Sequence, residues 1–213
     1  MLDYPSDDDY ELQIYAFADG HNRTQLYVVG PGYQSLDSTL DLVVLYSPEP
    51  LQHEFYPKPS KAHLIPSSAE IGLIAYHGDE TETVYEDYPY TEPEDLDHAI
   101  DSLVADRLTL VNGRLGTRTC PEMIFHRCSS TAGASGGALV DANGRIFGIT
   151  QRGRANVGIH IEGEYHDGVV DYTCENIGLP LDSPRLKEFV RNIILPIVEP
   201  DTRDAWQGLL END

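Results

Sequence analysis

Residues 128–150 read CSSTAGASGGALVDANGRIFGIT, and the order of residues in this stretch constrains the fold more than anything else in the chain. One hydroxyl, Ser135, stands in Gly133-Ala134-Ser135-Gly136-Gly137, where its neighbours offer almost no side chain. Glycine frees the backbone and lets another molecule approach main-chain N–H groups closely. An alternating apolar segment follows at once, then the turn residues Ala142-Asn143-Gly144, then a second apolar segment. Two such runs around a glycine-containing turn predict a β-hairpin. The serine is therefore expected on a bare loop at the mouth of a hairpin, in a β domain.

The rest of the chain agrees. Tyr10–Ala18 alternates like a strand, Asp19-Gly20 suits a tight turn, and Thr24–Val29 reads as the returning strand. Leu42–Tyr46 is a short apolar run with Asp41 at its mouth and Pro48 beyond it, and Ile71–Tyr76 is another buried-strand candidate. Strands resume at Leu108–Val111, Met123–His126, Ala138–Val140 and Ile146–Ile149. Two segments carry helical spacing instead. Near 93–106, after Thr91 and Pro93, Leu96, Ile100, Leu103 and Val104 form an apolar stripe whose opposite face is acidic. From Ser183-Pro184, the residues Leu186, Phe189, Val190, Ile193 and Ile194 predict a closing helix that ends at Pro196. Short strands with few helices predict a mainly β barrel or sandwich.

Charge narrows the partners. Fourteen basic against 36 acidic residues give a net charge of −22, which speaks against nucleic acid or an anionic membrane. No apolar run approaches the roughly 20 residues of a membrane span. The N-terminal residues MLDYPSDDDYEL lack the apolar core of a signal peptide. Cys120, Cys128 and Cys174 are too few for a disulfide framework, so buried thiols are the plain reading, with a Cys120–Cys128 or Cys120–Cys174 bridge left open. These features lean towards an intracellular protein. His160 and His166, with Glu162, Glu164 and Asp167, match no metal-site spacing; neither metal nor cofactor is expected.

Acyl transfer by a serine needs an exposed hydroxyl, a base for its proton and donors for the developing oxyanion. Gly133-Ala134-Ser135-Gly136-Gly137 meets the first and third. G-x-S-x-G also fits the nucleophile elbow of α/β-hydrolases, but that elbow leads into a helix, and here a hairpin follows. STAGASGGALVDANGRIFGI instead resembles the nucleophile loop and following hairpin of chymotrypsin-like serine peptidases. LDLVVLYSP resembles the aspartate strand of that family, LTLVNGRLGTR the strand before the serine loop, and NIGLPLDSPRLKEFVRN the last barrel strand entering the C-terminal helix. The resemblance spans Leu12 to Ile194.

It implies a mainly β, chymotrypsin-like double β-barrel. Residues 1–76 would form a partial N-terminal barrel and 77–107 an acidic connecting segment with the extra helix. Residues 108–200 would form the C-terminal barrel with its helix, and 201–213 a tail. Ser135 would attack the substrate carbonyl, the amides of Gly133 and Ser135 would hold the oxyanion, and Asp41 would orient a histidine. Ser129, Ser130, Thr150, Gln151 and Arg152 would line the primary specificity pocket. Ala134 stands where vertebrate digestive members carry an acid.

The base departs further from the family pattern. The family's histidine precedes its aspartate at a strand end, and only His21, in the turn sequence ADGHNRTQ, precedes Asp41. His126 is on the strand before the serine loop, and His53, His63, His77 and His98 are expected in loops or on the acidic helix. Two readings stay open: a monomeric serine endopeptidase acting on polypeptides, missing N-terminal residues and inactive as it stands, or a silent pseudoprotease that binds proteins.

Overall fold

The computed structural model describes residues 14–17, 23–28, 40–42, 45–46, 59–78, 103, 107–116, 120–152 and 175–196, with 200, 203, 207 and 210. The chain divides into two units, Met1–Tyr56 and Pro57–Asp213. In the first, β1 (Ile14–Phe17), β2 (Arg23–Val28) and β3 (Leu45–Tyr46) form an antiparallel sheet in that order. Ile14 faces Leu26 and Phe17 faces Arg23, the register of a hairpin.

The second unit holds six strands: β4 (Glu70–Tyr76), β5 (Leu108–Arg114), β6 (Ile124–His126), β7 (Ala138–Val140), β8 (Ile146–Arg152) and β9 (Asn176–Pro180). Their order in the sheet is β5-β4-β7-β8-β9-β6. The sheet curls until its outer strands meet. Gly116 N–H donates to Phe125 C=O at 2.7 Å and Arg127 N–H to Arg114 C=O at 2.8 Å. Joining β5 to β6 pairs backbone groups that would otherwise form exposed edges.

Alternation explains what fills this barrel. Ile71, Leu73 and Ala75 of β4 turn inward to meet Leu139 of β7, Phe147 of β8, Ile124 of β6 and Leu115. Leu73, Leu139 and Phe147 are fully buried, and each such side chain stabilises the fold by about 1.5–3 kcal/mol. Tyr76, Leu108 and Leu110 occupy the opposite parity and stay exposed. The chain closes with α1 (Pro184–Phe189), whose last turn widens into a π-helical turn at Val190–Ile194. Ser183 caps α1 by accepting the Leu186 N–H at 3.1 Å, and Pro184 takes the first turn. Among the described residues no helix is long and apolar enough to cross a membrane.

The organisation differs from expectation at β4. The strand at 71–76 was expected to complete the first unit. Its hydrogen bonds instead run to β5 and β7, and the division between units falls at Tyr56 and Pro57. The partners that decide this, such as Val140 opposite Gly72, are distant in sequence, so no local pattern reveals them. The acidic helix near 93–106 lies outside the described residues except for Leu103, which is buried. In the expected tail, Arg203, Gln207 and Leu210 are helical and Leu210 is buried, so this stretch contributes to packing.

Candidate active site

The serine loop is held from both sides. On one side, Gly78 N–H donates to Ala132 C=O at 2.7 Å, and Thr131 Oγ1 donates to Gly78 C=O at 3.1 Å. On the other, Gly136 N–H donates to Thr150 C=O and Thr150 N–H to Gly137 C=O, each at 2.8 Å, carrying the β7–β8 pairing into the loop. Two internal bonds tighten the turn: Ala134 N–H to Thr131 C=O at 3.2 Å and Gly137 N–H to Ala134 C=O at 2.9 Å. Ala134 is buried in the barrel core, which pins the residue beside the serine.

The loop leaves two particular amides open. The N–H groups of Ala134, Gly136 and Gly137 are engaged, whereas those of Gly133 and Ser135 have no acceptor among the described residues. Both residues are exposed. Gly133 has φ +90, a conformation that side-chain-bearing residues avoid. Gly137 is required for a different reason. A Cβ there would stand 2.6 Å from Ala75 Cβ and 2.9 Å from two carbonyl oxygens, so only glycine lets the loop lie against β4.

Ser135 Oγ is exposed and donates to the Gln151 C=O at 2.8 Å. The hydroxyl proton thus rests on a carbonyl, which cannot act as a base at neutral pH. Asp41 belongs to the first unit, where it is exposed with φ 42 beside the buried Leu40. Aspartate is among the residues that tolerate this left-handed conformation. His21 lies outside the described residues, as does the cluster from His160 to Asp167.

Of the expected pocket residues, Ser129, Ser130 and Thr150 are buried, Gln151 is half-buried, and Arg152 ends β8. Two residues that spacing did not single out join them: His126 and Asn176, both fully buried. His126 Nε2 meets Thr150 Oγ1 at 2.9 Å, while Asn176 Nδ2 donates to Cys128 C=O at 2.7 Å and to Ser130 Oγ at 3.0 Å. Their signal in sequence was only polarity at an inward position of a strand, visible once β6 and β9 are known to pair.

One further titratable residue borders the serine loop: the His77 carbonyl carbon lies 3.8 Å from where a Cβ on Gly133 would stand. His77, expected in a loop, follows β4 directly and is buried; neither ring nitrogen has a partner among the described residues. Burial holds its pKa below the ordinary histidine value. His63 pairs through Nδ1 with Asp182, joining the 3₁₀ turn Ala62–Leu64 to the start of α1. Cys120 and Cys128 are both free thiols, which removes the Cys120–Cys128 bridge, and burial pushes the Cys128 thiol up to about 12. Among the described residues no three His, Cys, Asp or Glu side chains converge as metal ligands. A groove of about 610 Å³ between β4, β5 and β7 contains none of the loop residues.

No protein-family model matches the sequence, and no curated protein matches it. Solved structures do. The HtrA-type protease AlgW with decapeptide superposes with a TM-score of 0.50 at 16% identity, covering 83% of this chain and 43% of the AlgW chain. An AlgW variant with tripeptide gives a TM-score of 0.51 at 15% identity, covering 94% of this chain and 48% of the other. This is the chymotrypsin-like serine peptidase fold. At such identities the likeness establishes the fold and nothing finer. The chain spans less than half the length of the AlgW chains it matches.

Proposed function

We propose that the chain is a serine endopeptidase domain in which Ser135 is the acyl-accepting nucleophile, acting on polypeptide. The observation that carries this reading is the pattern of main-chain hydrogen bonds around Ser135. Neighbouring amides are engaged inside the protein, while Gly133 and Ser135 keep theirs open beside an exposed hydroxyl. Donors held ready in this way can stabilise the oxyanion that forms as Oγ bonds to the substrate carbonyl carbon. Collapse of that intermediate breaks the C–N bond, and a base moves the serine proton to the leaving amine. Asp41 is the residue assigned to orient that base. The AlgW structures hold peptides, which supports peptide as the ligand class here. The net charge of −22 supports a partner other than nucleic acid.

The rate turns on the general base. His21 is the only histidine ahead of Asp41, and the Ser135 proton is given to the Gln151 carbonyl. We therefore assign these 213 residues peptide hydrolysis reduced by several orders of magnitude, to the level that oxyanion donors and binding sustain. The same hydrogen bond favours a second reading, a silent peptide-binding module, should no base be supplied from elsewhere.

Chemical rescue separates the two readings. Acylation of Ser135 by an activated ester or a fluorophosphonate should be slow, should accelerate when imidazole is added to the solution, and should vanish in Ser135→Ala. Acceleration at Ser135 supports the nucleophile assignment. Labelling elsewhere, or none with imidazole present, leaves only the silent module.

A further inference from the structure

The polar residues behind Ser135 form an ordered chain of hydrogen bonds whose direction can be worked out. His126 on β6 lies opposite Asn176 on β9, and Thr150 on β8 lies opposite Gly178, two residues along β9. Period-two alternation therefore puts His126, Asn176 and Thr150 on one face of the sheet. Cys128 N–H donates to His126 Nδ1 at 3.4 Å, so Nδ1 carries a lone pair and the neutral ring bears its proton on Nε2. That proton is donated to Thr150 Oγ1, 2.9 Å away. The Thr150 hydroxyl hydrogen must then point onward. Asn176 plays the same part for Ser130, whose Oγ accepts the Nδ2–H at 3.0 Å. Neither hydroxyl has an acceptor of its own among the described residues.

These two donors adjoin the nucleophile. The main-chain carbonyl of Thr150 holds Gly136, the next carbonyl along, that of Gln151, holds Ser135 Oγ, and Ser130 lies in the segment leading to Gly133. We propose that Thr150 and Ser130 select a substrate side chain that is an uncharged hydrogen-bond acceptor, the carboxamide of glutamine or asparagine. This rests on the peptidase reading of the site.

The chemistry excludes the alternatives in turn. An apolar side chain would leave both buried hydroxyls without acceptors and so incur their desolvation uncompensated. A lysine or arginine could donate to the remaining lone pair of each hydroxyl, but it would leave both O–H hydrogens without acceptors and bring a charge to a site with no described carboxylate on these hydroxyls. A carboxylate would be desolvated against two dipoles with no described cation on them, in a protein of net charge −22. A carboxamide oxygen accepts both hydrogens at no such charge cost.

The test is binding rather than turnover, so the nucleophile assignment can fail without deciding it. Dye-labelled peptides that differ only in the selected residue (glutamine, norleucine, glutamate or lysine) would be titrated into the Ser135→Ala protein and followed by fluorescence polarisation. Glutamine should bind about tenfold more tightly than norleucine, and more tightly than either charged residue. Thr150→Val should reduce that preference to less than about twofold, whereas Thr150→Ser, which retains the donor, should keep it. Ser130→Ala should narrow it as well. Thermal melts confirm that each variant is folded. Equal affinity for glutamine and norleucine, a preference that survives Thr150→Val together with Ser130→Ala, or failure of every peptide to bind would each overturn the assignment.

Discussion

Ser135 Oγ stands 2.8 Å from the main-chain oxygen of Gln151 and donates its hydrogen bond there. That contact fixes the rotamer of the proposed nucleophile, and it ties the serine loop to β8. The loop is a part of the barrel rather than an appendage: Ala134 lies in the core on one side of the serine, and Gly136 pairs with Thr150 on the other.

Gly133 should be intolerant of any side chain. Its φ of +90 is strained for other residues, although an added Cβ would itself meet only ordinary contacts, the nearest being Gly78 N at 3.4 Å. Gly133→Val should cost about 1–3 kcal/mol in urea denaturation. It should also turn the open amide, lowering imidazole-assisted acylation of Ser135 at least tenfold. An acylation rate equal to wild type would separate this amide from the chemistry.

Ala134→Asp probes the loop from beneath. Ala134 is 3% exposed and packed in the apolar core of the barrel. A carboxyl placed there loses water without a described cationic partner, so the expected loss is about 3 kcal/mol or more. The denaturation midpoint in urea measures it, and an unchanged midpoint would contradict the packing.

His77 should make the fold sensitive to acid. Burial depresses its pKa in the folded protein, while the unfolded chain titrates near 6.5. The unfolded state therefore binds the proton first as pH falls. The stability contribution is complete above about pH 6.5 and is lost from there down through the folded-state value. His77→Leu removes two unpartnered ring nitrogens and should flatten the fall in urea midpoint between pH 7.5 and 5.5, with little cost at neutral pH. A parallel fall in wild type and variant would assign the acid sensitivity to other groups.

The two described thiols should differ in reactivity. Cys128 is fully buried with its pKa pushed up to about 12, whereas Cys120 is half-buried. Iodoacetamide at pH 8 should alkylate Cys120 and leave Cys128 unmodified until urea unfolds the chain. Peptide mapping by mass spectrometry reads this directly, and equal rates in the native protein would contradict the burial of Cys128.

Ser183→Ala should remove the cap of α1. The hydroxyl accepts the Leu186 N–H at 3.1 Å in a buried setting, and its loss should cost about 0.5–2 kcal/mol. A melting temperature within error of wild type would mean that packing of Leu186, Phe189 and Val190 alone holds the helix.

Much of this could be read in the chain before any coordinates. A serine among glycines, followed by a hairpin rather than a helix, excluded the hydrolase elbow and implied the peptidase fold. Ser183-Pro184 marked the start of the closing helix, and alternation marked β7 and β8. These signals are local: capping, turn chemistry and period-two patterning act over a few residues, so they are written in a few residues. What was not legible is long-range. That β4 belongs with β5 and β7 depends on pairings such as Gly72 with Val140, and that His126 and Asn176 back Thr150 and Ser130 depends on β6 lying against β9. Closure of the barrel places side chains from distant segments on one inward face. Only the tertiary structure could therefore decide which polar groups meet behind the serine and in which direction their hydrogens point.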